Sequence, residues 1–153
     1  MIFIVCYILG WLAGVTILLL DNGPKDVHTI SEIFLLAQLT VTIGLMGLFA
    51  AYGHVFMSDK VAKQIGWEPG SMFQIELGYC SLGMGLMGIT SFWYRDNFWL
   101  ATIIFTCTFL LGAAFVHIKE MRKHRNFSPG NAVTVIPDIL IPFTLMILWI
   151  FYK

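Results

Sequence analysis

The feature that most constrains this chain is a succession of long apolar stretches with almost no charge. Residues 2–20 contain no charged side chain, and comparable runs follow almost to the end of the 153-residue chain. A run of eighteen or more such residues forms a helix that spans the hydrocarbon core of a bilayer, which is about 30 Å thick. Because these runs leave no length for a soluble domain, we predict a single transmembrane helical domain over residues 1–153.

Composition agrees with this prediction and excludes one class of partner. The chain is 58% hydrophobic and 12% charged, whereas soluble proteins contain about 25% charged residues. Its formal net charge is zero, while nucleic-acid binding needs a basic face that neutralises phosphates. The three cysteines are isolated within apolar runs, and we interpret them as small core residues. The expected partner is therefore the lipid bilayer and not nucleic acid.

Turn residues divide the apolar runs into an all-α, polytopic membrane bundle of about five transmembrane helices. The predicted spans are about 2–20, 29–56, 71–94, 99–118 and 132–152. Two of the starts carry the spacing of a capping box, Thr29 with Glu32 and Ser71 with Gln74. A short interfacial helix is expected over 58–65. The first span lacks a basic leading region, so we interpret it as a membrane helix and not as a signal peptide.

Two glycines in the first span, Gly10 and Gly14, have the GxxxG spacing that lets another helix approach closely. The approaching helix can belong to the same chain or to a second copy. A homo-oligomer through Gly10 and Gly14 is therefore one predicted use of the motif, and packing within the chain is the other.

Four titratable residues lie near predicted helix ends on one side of the membrane. With five spans, the second ends, the third begins, the fourth ends and the fifth begins at the same surface. That surface contains His54, Glu76, His117 and Asp138, each up to roughly 10 Å inside a helix end at about 1.5 Å per residue. Titratable side chains in a bilayer are rare and indicate a functional site. We therefore predict that the four side chains form one layer.

A divalent metal ion is the predicted occupant of this layer. Imidazole and carboxylate are ligands that zinc, iron and manganese accept, and the same groups can relay protons or bind another cation. Metal binding requires deprotonated ligands, so metal retention should weaken in acid. A bis-histidine haem, with His54 and His117 as axial ligands, is a further prediction. The shallow position of the two histidines and the neighbouring carboxylates fit haem less well.

The alternative is that the polar layer is purely structural. Hydrogen bonds and ion pairs, for example to Lys119 or Arg122, would then tie the helix ends together without turnover. The sequence contains no nucleotide-binding glycine loop, serine-hydrolase elbow or zinc-protease motif. Two function classes thus stay open: a metal or proton site of a membrane enzyme or carrier, and a non-catalytic membrane subunit.

Basic residues are distributed unequally between the two sides of the membrane. The loops on the His54 side contain Lys60, Lys63, Lys119, Arg122, Lys123 and Arg125. The opposite side contains Lys25, Arg95 and Lys153. By the positive-inside rule, the N-terminus and the His54 side of this multi-pass protein are predicted to be cytoplasmic. Labelling of a cysteine introduced at Asn97 from the cytoplasm alone would contradict this orientation.

Several short motifs resemble a known family. They are Gly53-His54-Val55-Phe56, Gly66-Trp67-Glu68-Pro69-Gly70-Ser71, Phe73-Gln74-Ile75-Glu76, the segment 126–131, and Asp138-Ile139-Leu140 with Pro142. Together they are similar to small prokaryotic integral membrane proteins that are grouped as a domain of unknown function. The resemblance covers the second to fifth predicted helices and implies a shared membrane fold. It implies no activity, substrate or cofactor.

Overall fold

Six helices account for most of the chain. The computed structural model describes residues 2–153, and these contain no β-strand. In chain order the helices are α1 (Ile2–Leu20), α2 (Val27–Phe56), α3 (Ser58–Ile65), α4 (Phe73–Thr90), α5 (Asn97–His124) and α6 (Pro129–Tyr152). The first turn of α6, Pro129–Ala132, precedes its long part, Val135–Tyr152. The predicted all-α membrane bundle is confirmed.

Four helices among the described residues are long and apolar enough to cross a membrane, namely α1, α2, α5 and α6. The remaining predicted span, α4, has 18 residues but falls below the other four in hydropathy because small and polar residues interrupt it. It packs more extensively than any other helix against the second half of α2. A Cβ atom on Gly47 would lie 2.4 Å from the Cα of Gly85. The two backbones therefore touch, and this contact holds α4 in the bundle.

Successive long helices run antiparallel, which determines the residues that meet at each end of the bundle. Thr42 of α2 lies beside Cys6 of α1, and Cys107 of α5 lies 3.8 Å from the carbonyl oxygen of Pro142 in α6. The start of α1, the ends of α2 and α5, and the starts of α4 and α6 consequently lie together. We call this the histidine end, after His54 and His117. The opposite end, with Glu32, Arg95, Asp96 and Lys153, is the Arg95 end.

The start of α2 corrects a predicted capping box. The helix begins at Val27, and the Oδ1 atom of Asp26 accepts a hydrogen bond from the backbone N–H of Thr29 at 2.8 Å. Glu32 instead pairs with Arg95, from the loop before α5. The cap thus lies three residues earlier than predicted, because Asp26 satisfies the free N–H group and leaves Glu32 available for a tertiary contact.

The start of α4 differs in the same way. Ser71 Oγ accepts from the backbone N–H of Phe73 at 3.3 Å, but Gln74 does not complete the predicted box. Its side chain is buried and contacts His54. The residue predicted to complete the capping box, Gln74, is therefore part of the bundle interior.

The GxxxG motif of α1 is used inside the chain. Gly10 and Gly14 are buried, and a Cβ atom on Gly10 would lie 2.1 Å from the hydroxyl oxygen of Thr42. Thr42 belongs to a π-helical segment of α2, Gln38–Ile43, which the sequence did not reveal. The wider turn of a π-helix displaces the side chains that follow it. The predicted homo-oligomer stays a prediction, and a Gly14 substitution would act first on the packing of α1 against α2.

Candidate functional site

A cavity of about 790 Å³ lies at the histidine end. Apolar side chains line its inner part, including Met46, Phe49, Leu77, Met84 and Phe109. Polar side chains line its outer part, including His54, Lys60, Gln64, His117 and Asp138. Along α5 the lining extends from Thr108 to His117, a distance of about 13 Å at about 1.5 Å per residue. The cavity therefore joins a polar end to an apolar interior.

Asn131 fixes the orientation of His117. Asn131 is fully buried, and its Nδ2 atom donates to the carbonyl oxygens of His117 at 3.1 Å and of Asn126 at 2.9 Å. Because both carbonyls can only accept, the Oδ1 atom of Asn131 is the one that faces the ring, 2.7 Å from His117 Nδ1. Nδ1 consequently carries the proton, and in the neutral imidazole the lone pair lies on Nε2.

Trp67 holds the same ring from one face. The ring centroids of Trp67 and His117 are 6.0 Å apart, and the ring planes differ by 20°. Trp67 follows Gly66, which ends α3 in a left-handed conformation with φ of 84°. That glycine also packs against Asn126, since a Cβ atom on it would lie 2.5 Å from Asn126 Oδ1. The loop after α3 and the loop before α6 thus position His117 together.

The free nitrogen of His117 faces Asp138. His117 Nε2 and Asp138 Oδ2 are 4.0 Å apart, which is too far for a hydrogen bond. Asp138 is 2% exposed, and within residues 2–153 its Oδ2 atom has no hydrogen-bond partner. A buried polar atom without a partner calls for a physical explanation. When the carboxyl group is ionised, two acceptor atoms therefore lie side by side without a proton to share.

His54 is held in a similar way on another wall of the cavity. Its Nδ1 atom lies 2.5 Å from Oε1 of Gln74, and Gln74 is 2% exposed. Each of the two histidines is thus bound through Nδ1 by the side-chain amide of a neighbouring segment.

The structure brings together some of the predicted site residues and leaves one apart. His117 and Asp138 meet, and His54 lines the same cavity. Glu76 is exposed in the first turn of α4 and does not line the cavity. It follows buried Gln74 by two residues, which is about 200° of rotation around a helix. The predicted layer of four residues therefore contains three that share a cavity and one that faces outward.

Metal and haem binding stay predictions. Within residues 2–153, no three His, Cys, Asp or Glu side chains are grouped closely enough to hold a metal ion. The structural alternative invoked ion pairs to Lys119 or Arg122. Within residues 2–153, Asp138 faces His117 in a contact that is an ion pair only when His117 is protonated, and neither Lys119 nor Arg122 forms an ion pair.

The residues that orient the two histidines were not evident from the sequence. Asn131 lies in a segment with the composition of a turn. Gln74 has the spacing from Ser71 that is expected of the second residue of a capping box. A signal for Gln74 was nevertheless present. It lies on one helical face with the small residues Gly78, Ser81, Gly85 and Gly88, and that face is buried.

Comparison with known proteins gives a family but no activity. A family model described as a family of unknown function (DUF6790) matches residues 1–153. The match includes the first helix, so it extends beyond the motifs of the later helices on which the resemblance depended. No curated protein and no solved structure matches the chain.

Proposed function

This chain belongs to DUF6790, a family of unknown function, and we propose that it is a multi-pass membrane protein that binds a small amphipathic molecule in its cavity. The polar head of the ligand contacts His117 and Asp138, and its apolar part lies along the inner wall formed by Met84 and Phe109. One observation carries the proposal. Asp138 Oδ2, which has no hydrogen-bond partner within residues 2–153, lies 4.0 Å from His117 Nε2 at the polar end of a largely apolar cavity.

The size and lining of the cavity support this function. Ligand sites commonly enclose about 300–1,000 Å³ and combine apolar walls with a few convergent polar groups. The cavity at the histidine end has about 790 Å³ and matches that description. A purely structural polar layer would account for the Nδ1 contacts of both histidines. It leaves the Oδ2 atom of Asp138 without a hydrogen-bond partner within residues 2–153.

A divalent metal ion is the second candidate, and the proximity of His117 Nε2 to Asp138 Oδ2 favours it. Catalytic zinc sites use three protein ligands and structural sites use four. His54 lines the same cavity and would supply the third ligand, while Glu76 faces away. An amphipathic ligand needs only the two facing acceptors and the apolar wall, so it is the better supported occupant. The positive-inside pattern leads us to place the histidine end in the cytoplasm.

Filling the cavity tests the proposal. Gly112 lines the cavity, and a Cβ atom there would meet no atom within 4 Å, so Gly112→Phe adds a ring without a backbone collision. Gly83 and Gly112 are both exposed, and a Cβ atom on Gly83 would likewise meet no described atom within 4 Å. Gly83, however, lies outside the cavity. Gly83→Phe is therefore a matched control.

The probe is a long-chain alcohol with a photoreactive diazirine in its tail, added to the protein in phosphatidylcholine nanodiscs. We expect cross-links in the wild type to map to the inner wall around Met46 and Met84. Gly112→Phe should reduce them several-fold, and Gly83→Phe should leave them unchanged. Equal labelling of the two variants at these positions would contradict the proposal.

A further inference from the structure

The geometry points to a primary ammonium ion as the head group of the cavity ligand, and this assignment rests on the function proposed above. Asp138 is the first reason. Its carboxyl group is 2% exposed, and within residues 2–153 its Oδ2 atom has no hydrogen-bond partner. A buried carboxyl group stays ionised only when a positive group and hydrogen-bond donors compensate its charge. A ligand that brings both to Oδ2 meets this requirement.

His117 supplies the second reason. The contacts of Asn131 place the ring proton on Nδ1, so Nε2 presents a lone pair. The head group therefore faces two acceptors, His117 Nε2 and Asp138 Oδ2. A head group that itself only accepts, such as a carboxylate or a phosphate ester, would oppose both atoms without a proton to share.

The number of donors separates an ammonium ion from an alcohol. A hydroxyl group has one proton to donate and satisfies one of the two acceptors, whereas a primary ammonium has three. The acceptors are 4.0 Å apart, so a nitrogen atom to the side of the line that joins them can lie about 2.8 Å from both, within the range of charge-assisted hydrogen bonds. A quaternary ammonium carries the charge without a donor. A primary amine with an apolar tail thus satisfies the site more completely than the other head groups.

The other charged groups around the cavity are compatible with this assignment. Besides Asp138, the ionisable side chains that line it are His54, Lys60, His117 and Tyr52. Lys60 is exposed on α3, and its ammonium group forms no ion pair with Asp138 within residues 2–153. Among the described residues that line the cavity, Lys60 is the one with a permanent positive charge. Its removal should strengthen the binding of a cation or leave it unaltered.

The experiment compares three ligands with the same tail, namely decylamine, decyltrimethylammonium and decanoate. Each is titrated against the photoreactive alcohol on the purified full chain in phosphatidylcholine nanodiscs. Wild-type protein should be protected by decylamine at a concentration about tenfold lower than by the other two, because hydrogen bonds to charged groups are stronger than those to neutral groups. Asp138→Asn should remove this preference.

Two further variants control for effects of charge alone. Glu76→Gln makes the same kind of change at an exposed carboxylate outside the cavity, and it should keep the preference for decylamine. Lys60→Met should keep or increase it. An apparent melting temperature measured for every variant shows that each is folded.

The outcomes distinguish the assignment of the head group from the proposal that the cavity binds a ligand. Equal protection by decylamine and decyltrimethylammonium, or an undiminished preference in Asp138→Asn, would overturn the ammonium assignment. The cavity proposal would still stand if Gly112→Phe blocked the alcohol. If Gly112→Phe had no effect, both would fail. Wild-type protein that retains one zinc ion per chain and is not protected by decylamine would also overturn the assignment, in favour of a metal site.

Discussion

The two ends of the bundle differ in whether their acidic residues are partly exposed and paired or buried and without a hydrogen-bond partner. At the Arg95 end, Arg95 pairs with Glu32, and Lys153 Nζ lies 3.0 Å from Asp96 Oδ1, all with partly exposed side chains. At the histidine end, Asp138 is buried and its Oδ2 atom lacks a partner within residues 2–153. Exposed ion pairs contribute roughly 0–1 kcal/mol each, whereas a buried polar atom left unpaired costs about 1–3 kcal/mol.

This difference indicates which end is built for stability and which is built for binding. The exposed pairs join α2 to the loop before α5, and that loop to the C-terminus. Every charge in them has a partner within the chain. The histidine end instead retains free bonding capacity beside a cavity. Proteins tolerate such local instability where function requires it. Replacing a charged residue should therefore change the stability of the protein in opposite directions at the two ends.

The largest effect is expected from Asn131→Ala. This change removes the hydrogen bonds to His117 Nδ1 and to the carbonyl oxygens of His117 and Asn126. Because these atoms are at least partly buried, we expect a loss of about 3 kcal/mol in the free energy of unfolding. Unfolding in mixed micelles with increasing dodecyl sulfate measures it.

Asn22→Ala is the matched control, because Asn22 is an exposed loop residue at the Arg95 end. It should change stability by less than about 0.5 kcal/mol. If Asn131→Ala cost no more than this control, the part assigned to Asn131 in orienting His117 would be wrong.

A smaller effect of the opposite sign is expected from Asp138→Leu. In protein purified without added ligand, this change replaces an unpaired buried carboxyl group by an apolar side chain. We therefore expect stability to increase by about 1–2 kcal/mol while binding of the amine is lost. Glu32→Leu at the Arg95 end should instead decrease stability by up to roughly 1 kcal/mol, because it breaks a partly exposed ion pair.

The same unfolding measurement decides this comparison. A loss of stability in Asp138→Leu would mean that Asp138 already has a compensating partner in the folded chain. The two ends would then not differ in the way proposed here.

The sequence was sufficient for four of the five predicted spans and for the end at which each titratable residue lies. Long apolar runs predict those four spans, and the alternation of antiparallel helices brings the ends that carry His54, His117 and Asp138 together. The sequence did not predict the rotation of each helix about its axis, which determines the side chains that face the interior. Small residues occur on several faces of α4, so packing against α2 decided that Gln74 faces inward and Glu76 outward.

The partner of His117 could not be predicted from the sequence either, for a different physical reason. Asn131 acts on His117 across a loop, and its three hydrogen bonds form only when α5 and α6 are packed side by side. Local propensity for Asn is dominated by its preference for turns and caps. The amide therefore looks like a turn residue until the tertiary contacts are known.

The smallest effect is expected from acid at the Arg95 end. Asp96 lies in the loop before α5, and the hydrogen bond from Lys153 Nζ, followed by that from the hydroxyl of Tyr152, holds the pKa of its carboxyl group below the usual value. A lowered folded-state pKa stabilises the protein above the unfolded-state pKa of about 3.9. The contribution is lost as the pH falls through the lower folded-state pKa. Wild type and Asp96→Asn should therefore differ slightly in apparent melting temperature near neutral pH and converge in acid. Because these charges are exposed, added salt should also reduce the difference. A difference that persisted unchanged below both pKa values would show that Asp96 acts through its shape and not through its charge.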